Sequence, residues 1–374
     1  MYSPLAVGGI GQFVHDFGIA LRGRGHDVTA VFRYEIPEFS ADEGFSESVR
    51  QVEIRPWQIG GFRTLSLNLK TVSWLGEHRN ELDIVHVLNP MPVCAAAMRA
   101  AHRYRIPVVA TIYAKYPRSP KILLRFVNDR AQEQILREAD SLVYEAPSTQ
   151  EDFSLFPGRV ILNGVDTQLY KPNLARRASV RKSLGIALDD FVVLYLGRLD
   201  KLKGIYTLLD ALQILRRGAE TVTTLLVGSV EIRDLENEIG RRGLRSFAKV
   251  VGPVGKNDVV DYYCSADVFV LPSFLEGISS ALIEAMACGT PVVATNVGGN
   301  TSVVRHEQDG LLVPPGNPRS LAKALLAIMN DVGLRRSLGT SARARIQDRF
   351  SLETMTNEYE AVYREVSSRR LSKR

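Results

Sequence analysis

The chain has 374 residues, 45% of them hydrophobic and 24% charged, with a net charge of +6. That length is too great for one core and natural for two domains. The sequence has no apolar run of about 18 residues that would span a membrane, and its first residues lack the basic and apolar blocks of a signal peptide. Three scattered cysteines, Cys94, Cys264 and Cys288, lack metal spacing and read as reduced thiols in a cytoplasmic setting. The positive balance suits an anionic ligand or an anionic membrane surface. Nucleic acid is disfavoured, because the basic residues are not interleaved with stacking aromatics.

The glycines of Gly8-Gly9-Ile10-Gly11 open the chain, followed by Ile10, Phe13, Val14, Phe17 and Leu21 at helical spacing. With no third glycine and no preceding strand, Gly9-x-Gly11 is a weak dinucleotide signal, equally a tight turn. Apolar runs predict strands at residues 26–32, 82–88, 107–113, 141–144 and 160–162. Residues 35–60 read as irregular. Helices are expected through Ala95 to Tyr104 and, after Ser119-Pro120, through Ile122 to Leu136. Asn163 to about Ser183 reads as a linker. A second alternation follows, with strands at 191–196, 222–227, 249–251, 267–271, 291–295 and 311–313. Its helices are expected at 205–217, 256–265, 281–288 and 319–330, and a last one at 351–366. Strands alternating with helices predict two doubly wound parallel sheets.

Chemistry concentrates in two stretches of the second half. Pro272 stops the strand ending at Leu271, and Ser279 and Ser280 are good helix caps. Gly289 is placed to end that helix, and Pro291 bars its continuation. Glu276 lies in the loop and Glu284 about one turn into the helix. The free amides of such a helix start suit an anion, and a carboxylate suits hydroxyls. The second stretch is Gly197-Arg198-Leu199-Asp200-Lys201-Leu202-Lys203-Gly204, which follows a strand and lacks the Walker pattern. Arg198 and Lys203 would hold a diphosphate at the carboxyl end of a strand, where doubly wound sheets bind ligands.

These stretches, with Ala266-Asp267-Val268, Glu284-Ala285-Met286-Ala287-Cys288-Gly289-Thr290-Pro291 and Gly298-Gly299, resemble the retaining glycosyltransferases of family 4. Gly25-His26-Asp27-Val28, Asp83-Ile84-Val85-His86 and Asn163-Gly164-Val165-Asp166 carry the resemblance through the first half. It implies the GT-B fold, two Rossmann-like domains facing across a cleft. The boundaries expected are 1–168 on the acceptor side and 169–348 on the donor side, with 349–374 a helix returning to the first domain plus a basic tail. The resemblance implies that Arg198, Lys203 and Glu276 act in catalysis. Glu284 would take the ribose, Gly277, Ile278, Ser279 and Ser280 the diphosphate, Val254 the base, and Gly9 the donor.

The resemblance also implies transfer of a sugar from a nucleotide-diphosphate-sugar to a saccharide or lipid-linked acceptor, with retention. The setting would be cell-surface polysaccharide or glycolipid synthesis. The sequence contains no Asp-x-Asp, so neither metal nor other cofactor is expected. Two departures stand out. The family opens with a strand before its Gly-Gly loop, yet Met1 lies seven residues before Gly8. The expectation is therefore an unfilled central sheet position, from a start site upstream or a truncated sequence. The family's functional histidine is replaced by Tyr113, which can donate a hydrogen bond but not carry charge near neutral pH; His86 is a second acceptor-side candidate. Lys115, Arg118, Lys121, Arg125 and Arg130 suit either solvent or an anionic membrane surface. Two alternatives stay open: a nucleotide-sugar-binding protein without turnover, and a nucleotide-sugar epimerase on the same fold.

Overall fold

The structure, a computed structural model, describes residues 2–3, 9–32, 49–55, 63–89, 91–113, 122–217, 222–230 and 235–371. In chain order the first elements are β1 (Tyr2–Ser3), α1 (Gly9–Gly23), β2 (Thr29–Phe32), β3 (Arg50–Glu53), α2 (Arg63–Glu77), β4 (Val85–Leu88), α3 (Pro92–Arg103), β5 (Val108–Ile112), α4 (Ile122–Glu138), β6 (Ser141–Tyr144), α5 (Pro147–Asp152) and β7 (Arg159–Val160). Next come α6 (Leu174–Leu184), β8 (Phe191–Leu196), α7 (Ile205–Leu215), β9 (Val222–Val227), α8 (Leu235–Arg241), β10 (Ala248–Gly252), α9 (Lys256–Ser265), β11 (Val268–Leu271) and α10 (Ser280–Ala287). The chain ends with β12 (Val292–Thr295), α11 (Asn300–Val303), β13 (Leu311–Val313), α12 (Pro318–Asn330), α13 (Val332–Arg349) and α14 (Leu352–Leu371). It divides into two compact units, Met1–Asn163 with Leu352–Arg374, and Gly164–Ser351.

In the first unit the sheet order is β3-β2-β1-β4-β5-β6-β7, all parallel. Strands β4 and β5 are buried along their whole length, which is why they read as continuous apolar runs rather than as alternations. The central position expected to be empty is filled. Tyr2 pairs with Val31 on one side and Val87 on the other, so the residues just after Met1 are themselves the strand. A cavity of about 930 Å³ opens at the amino ends of β2 and β4, lined by Val28, Val31, Trp74, Ile84, Val85 and Tyr363 among others. Helix α14 packs on this unit by its aromatic face. The Tyr359 hydroxyl lies 3.0 Å from Thr111 Oγ1, and Arg24 and His26 both reach Glu360.

In the second unit the order is β10-β9-β8-β11-β12-β13, again all parallel. Part of the expected linker is helix α6, which Asn173 caps by accepting from the Arg176 amide at 3.0 Å. Its Arg181 is fully buried. The guanidinium donates to the carbonyls of Ala187, Leu188, Asp190 and Ser265 and pairs with Asp267 at 2.7 Å. A buried guanidinium is tolerated because its donors are paired. Among the described residues no helix is long and apolar enough to cross a membrane, and all three cysteines are buried and unpaired.

Candidate functional site

In the second unit β8 lies between β9 and β11, so the chain's direction of travel across the sheet reverses beside β8. Such a reversal opens a crevice beyond the carboxyl ends of the two strands. The loop Gly197–Gly204 leaves β8 there, and the loop Pro272–Ser279 leaves β11. Glycine lets the two loops touch: Gly204 has φ +76°, and a Cβ on it would lie 2.0 Å from the Pro272 carbonyl oxygen. The Phe274 amide donates to the Leu202 carbonyl at 2.9 Å.

Across this contact Lys203 Nζ meets Glu276 Oε1 at 2.7 Å, and Ser273 Oγ donates to the same oxygen at 2.6 Å. The Glu276 side chain is 8% exposed and that of Lys203 25%. Asp200 orders the cationic loop, its Oδ1 accepting from the Lys203 amide at 2.8 Å and its Oδ2 facing Arg198 at 3.1 Å. Buried Tyr195 donates to the Arg198 carbonyl at 2.6 Å, and burial raises its phenol, so it stays a donor. Arg198 keeps an exposed guanidinium. Arg198, Lys203 and Glu276 are thus brought together.

Behind Glu276 the loop rests on Gly298 and Gly299, whose added Cβ atoms would lie 1.9 Å from the Glu276 carbonyl oxygen and 2.4 Å from that of Gly277. Gly277 is exposed, Ile278 buried, and Ser279 and Ser280 half-buried. Helix α10 starts at Ser280 with Ser279 as its cap residue, but the Ser279 side chain makes no capping bond. Gly289, at φ +71°, stands just past the end of α10. Within α10, Glu284 Oε2 accepts from the Tyr263 hydroxyl at 2.8 Å. Val254 is half-buried in the loop after β10, two strands from β8.

The first-unit candidates separate. Gly9 opens α1. Tyr113 follows β5 at its carboxyl edge, its ring against Phe13 and its buried hydroxyl without a hydrogen-bond partner among the described residues. His86 is 3% exposed, with Nδ1 at 2.7 Å from the Tyr363 hydroxyl and Nε2 at 2.7 Å from Thr111 Oγ1. Burial lowers its pKa to about 3, and its two contacts join β4 to β5 and to α14. Sequence reasoning missed Glu145, the residue after β6. It is 5% exposed, its carboxyl is pushed up to about 8 by burial, and Asn163 Nδ2 lies 3.4 Å from its Oε2. Of the basic cluster, Arg130 is exposed on α4, while Lys115, Arg118, Lys121 and the Arg125 side chain lie outside the described residues.

Asp200, Ser273, Tyr195 and Tyr263 were also missed. Asp200 had a signal, a carboxylate between two cations in a short loop; Tyr263, twenty-one residues from Glu284, had none.

Two family patterns cover the chain: Glycosyltransferase Family 4 over residues 7–169 and Glycosyl transferases group 1 over residues 176–345. A D-inositol 3-phosphate glycosyltransferase of Xylanimonas cellulosilytica is 31% identical over 78% of this chain and 75% of its own. An uncharacterised glycosyltransferase of Methanocaldococcus jannaschii is 29% identical over 97% of this chain and 96% of its own. Among solved structures, Anabaena HepE in complex with UDP superposes with a TM-score of 0.81 at 24% identity, covering 97% of this chain and 98% of that one. The crevice between β8 and β11, the two sheets of like strand order and these relatives agree, and the chain belongs to the group 1 glycosyltransferases, with their GT-B fold.

Proposed function

We propose that this glycosyltransferase moves a sugar, with retention of anomeric configuration and without a metal, from a nucleoside-diphosphate-sugar to a saccharide or lipid-linked acceptor. The observation that carries the reading is the Lys203–Glu276 contact at the strand-order reversal. It sets a cation for a diphosphate beside a carboxylate for sugar hydroxyls. HepE, of the same fold, has been seen with UDP and with UDP-glucose. A relative from Staphylococcus aureus is a capsular polysaccharide biosynthesis glycosyltransferase, which supports cell-surface polysaccharide synthesis as the setting.

In this reading Arg198, Lys203 and the amides of Ile278, Ser279 and Ser280 bind the diphosphate, Glu284 the ribose, and backbone near Val254 the base. Glu276 orients the sugar. The bond from C1 to the β-phosphate oxygen breaks with its electron pair going to the diphosphate. The acceptor oxygen bonds C1 on the same face, and its proton passes to the leaving diphosphate. Charge grows on the diphosphate as that bond breaks, so fixed cations there stabilise the transition state more than the ground state. Those cations supply what a metal would otherwise supply.

The test is incubation with UDP-, GDP- and ADP-sugars and fractionated glycan and lipid acceptors, with and without EDTA. Transfer insensitive to EDTA, with the donor's anomeric configuration in the product, is the expected result. Binding without turnover, isomerised donor, or activity abolished by EDTA would each overturn part of the reading.

A further inference from the structure

Tyr263 has no role in the reading above, yet it makes a polar contact at the heart of it. Its side chain is fully buried in α9, with the ring set edge-on against Tyr170 and Phe269 at centroid distances of 6.2 and 5.7 Å. Its carbonyl accepts from Thr290 Oγ1 at 2.9 Å, which ties the end of α9 to the turn after α10. The phenol has a single proton, and that proton goes to Glu284 Oε2 at 2.8 Å. Burial and the adjacent Glu284 carboxylate hold the phenol well above its ordinary pKa, so it donates at every physiological pH. The donor's ring is fully buried, while Glu284 is half-buried on an eight-residue helix.

We propose that Tyr263 is a positioning residue that fixes the plane of the Glu284 carboxylate and thereby makes the site read the vicinal hydroxyls of a ribose. A carboxylate offers about four lone-pair directions, so one bond to a fixed donor orients it without exhausting it. A diol needs two acceptor directions at set angles. A rotating carboxylate meets them only part of the time, whereas a pinned one meets them always. Loss of the phenol hydroxyl should therefore weaken a ribonucleotide and leave a nucleotide without ribose hydroxyls nearly unaffected. The inference rests on the nucleoside-diphosphate-sugar reading.

The experiment measures affinity of the wild type and of Tyr263→Phe for UDP and 2′,3′-dideoxy-UDP, with melting temperatures recorded beside them. The wild type should favour UDP. Tyr263→Phe should lose about tenfold in UDP affinity, the scale of one hydrogen bond to a charged group, with little change for the dideoxy compound. With donor sugar, KM should rise and kcat stay near the wild-type value, since the bond serves binding in both ground and transition states. Equal loss for both nucleotides, no loss for either, or a wild type indifferent to the ribose hydroxyls overturns the positioning role. Failure of the wild type to bind nucleoside diphosphates or their sugars strikes the functional reading instead.

Discussion

Lys203 and Glu276 belong to loops leaving two different strands, and their side chains meet at 2.7 Å. Seventy-three residues of sequence separate them, and the β8–β11 adjacency removes that separation. The contact offsets part of the cost of burying a carboxylate that is only 8% exposed. Lys203→Ala should lower kcat/KM about 10² to 10³-fold, on the scale of one oxyanion-type donor. Glu276→Gln should leave UDP affinity within about threefold and reduce transfer by a similar 10² or more, if it orients the sugar as proposed rather than the nucleotide. Initial rates of diphosphate release together with UDP titrations check both.

Gly298 supports the same loop from behind. It has φ +45°, and a Cβ would stand 1.9 Å from the Glu276 carbonyl oxygen. Gly298→Ala should cost about 1–3 kcal/mol in stability and displace Glu276. Sugar transfer should fall further than the melting temperature suggests, which a melting curve and a rate assay on the same preparation will show.

Much of this was legible in the sequence, and the reasons are local. Strands β8, β9 and β13 are buried apolar runs bounded by turn residues, and their ends fall where the sequence puts them. Arg198, Lys203 and Glu276 each sit in a loop after a strand with glycine or proline close by, and Glu284 lies in the short helix that follows. What stayed hidden depends on pairing at long range. Tyr263 looks like any core tyrosine until α9 packs against α10. His86 reads as an acceptor-side candidate, and only the fold shows Thr111 and Tyr363 at its two nitrogens. The two-residue strand at Tyr2 is too short for any periodicity to reveal.

Asp267 holds the start of β11 to helix α6. It pairs with Arg177 at 2.8 Å and Arg181 at 2.7 Å and accepts from the Val192 amide at 2.8 Å. Asp267→Ala strands the fully buried Arg181 charge without its counterion and should destabilise the second unit by about 3–5 kcal/mol. Urea unfolding followed by tryptophan-independent circular dichroism measures it.

Glu145 and His86 give the first unit opposite pH slopes. The folded Glu145 carboxyl, near 8, binds its proton more tightly than the unfolded one near 4.5, so its contribution is full at low pH and is lost as pH rises through 8. Folded His86, near 3, resists the proton that the unfolded histidine takes near 6.5, so its contribution is present above 6.5 and lost as pH falls towards 3. Glu145→Gln should therefore be increasingly stabilising, relative to wild type, between pH 5 and pH 9. Melting temperatures of the pair across that range will show the divergence; parallel curves would contradict it.

The central claim is that the crevice beyond β8 and β11 binds a diphosphate through Arg198 and Lys203. The most direct measurement is calorimetric titration of wild type and the Arg198→Ala/Lys203→Ala double variant with uridine, UMP and UDP. The account predicts that the wild type binds UDP at least tenfold more tightly than UMP, and that the double variant loses most of this preference while still melting as a folded protein. A double variant that keeps the full preference for UDP would contradict it.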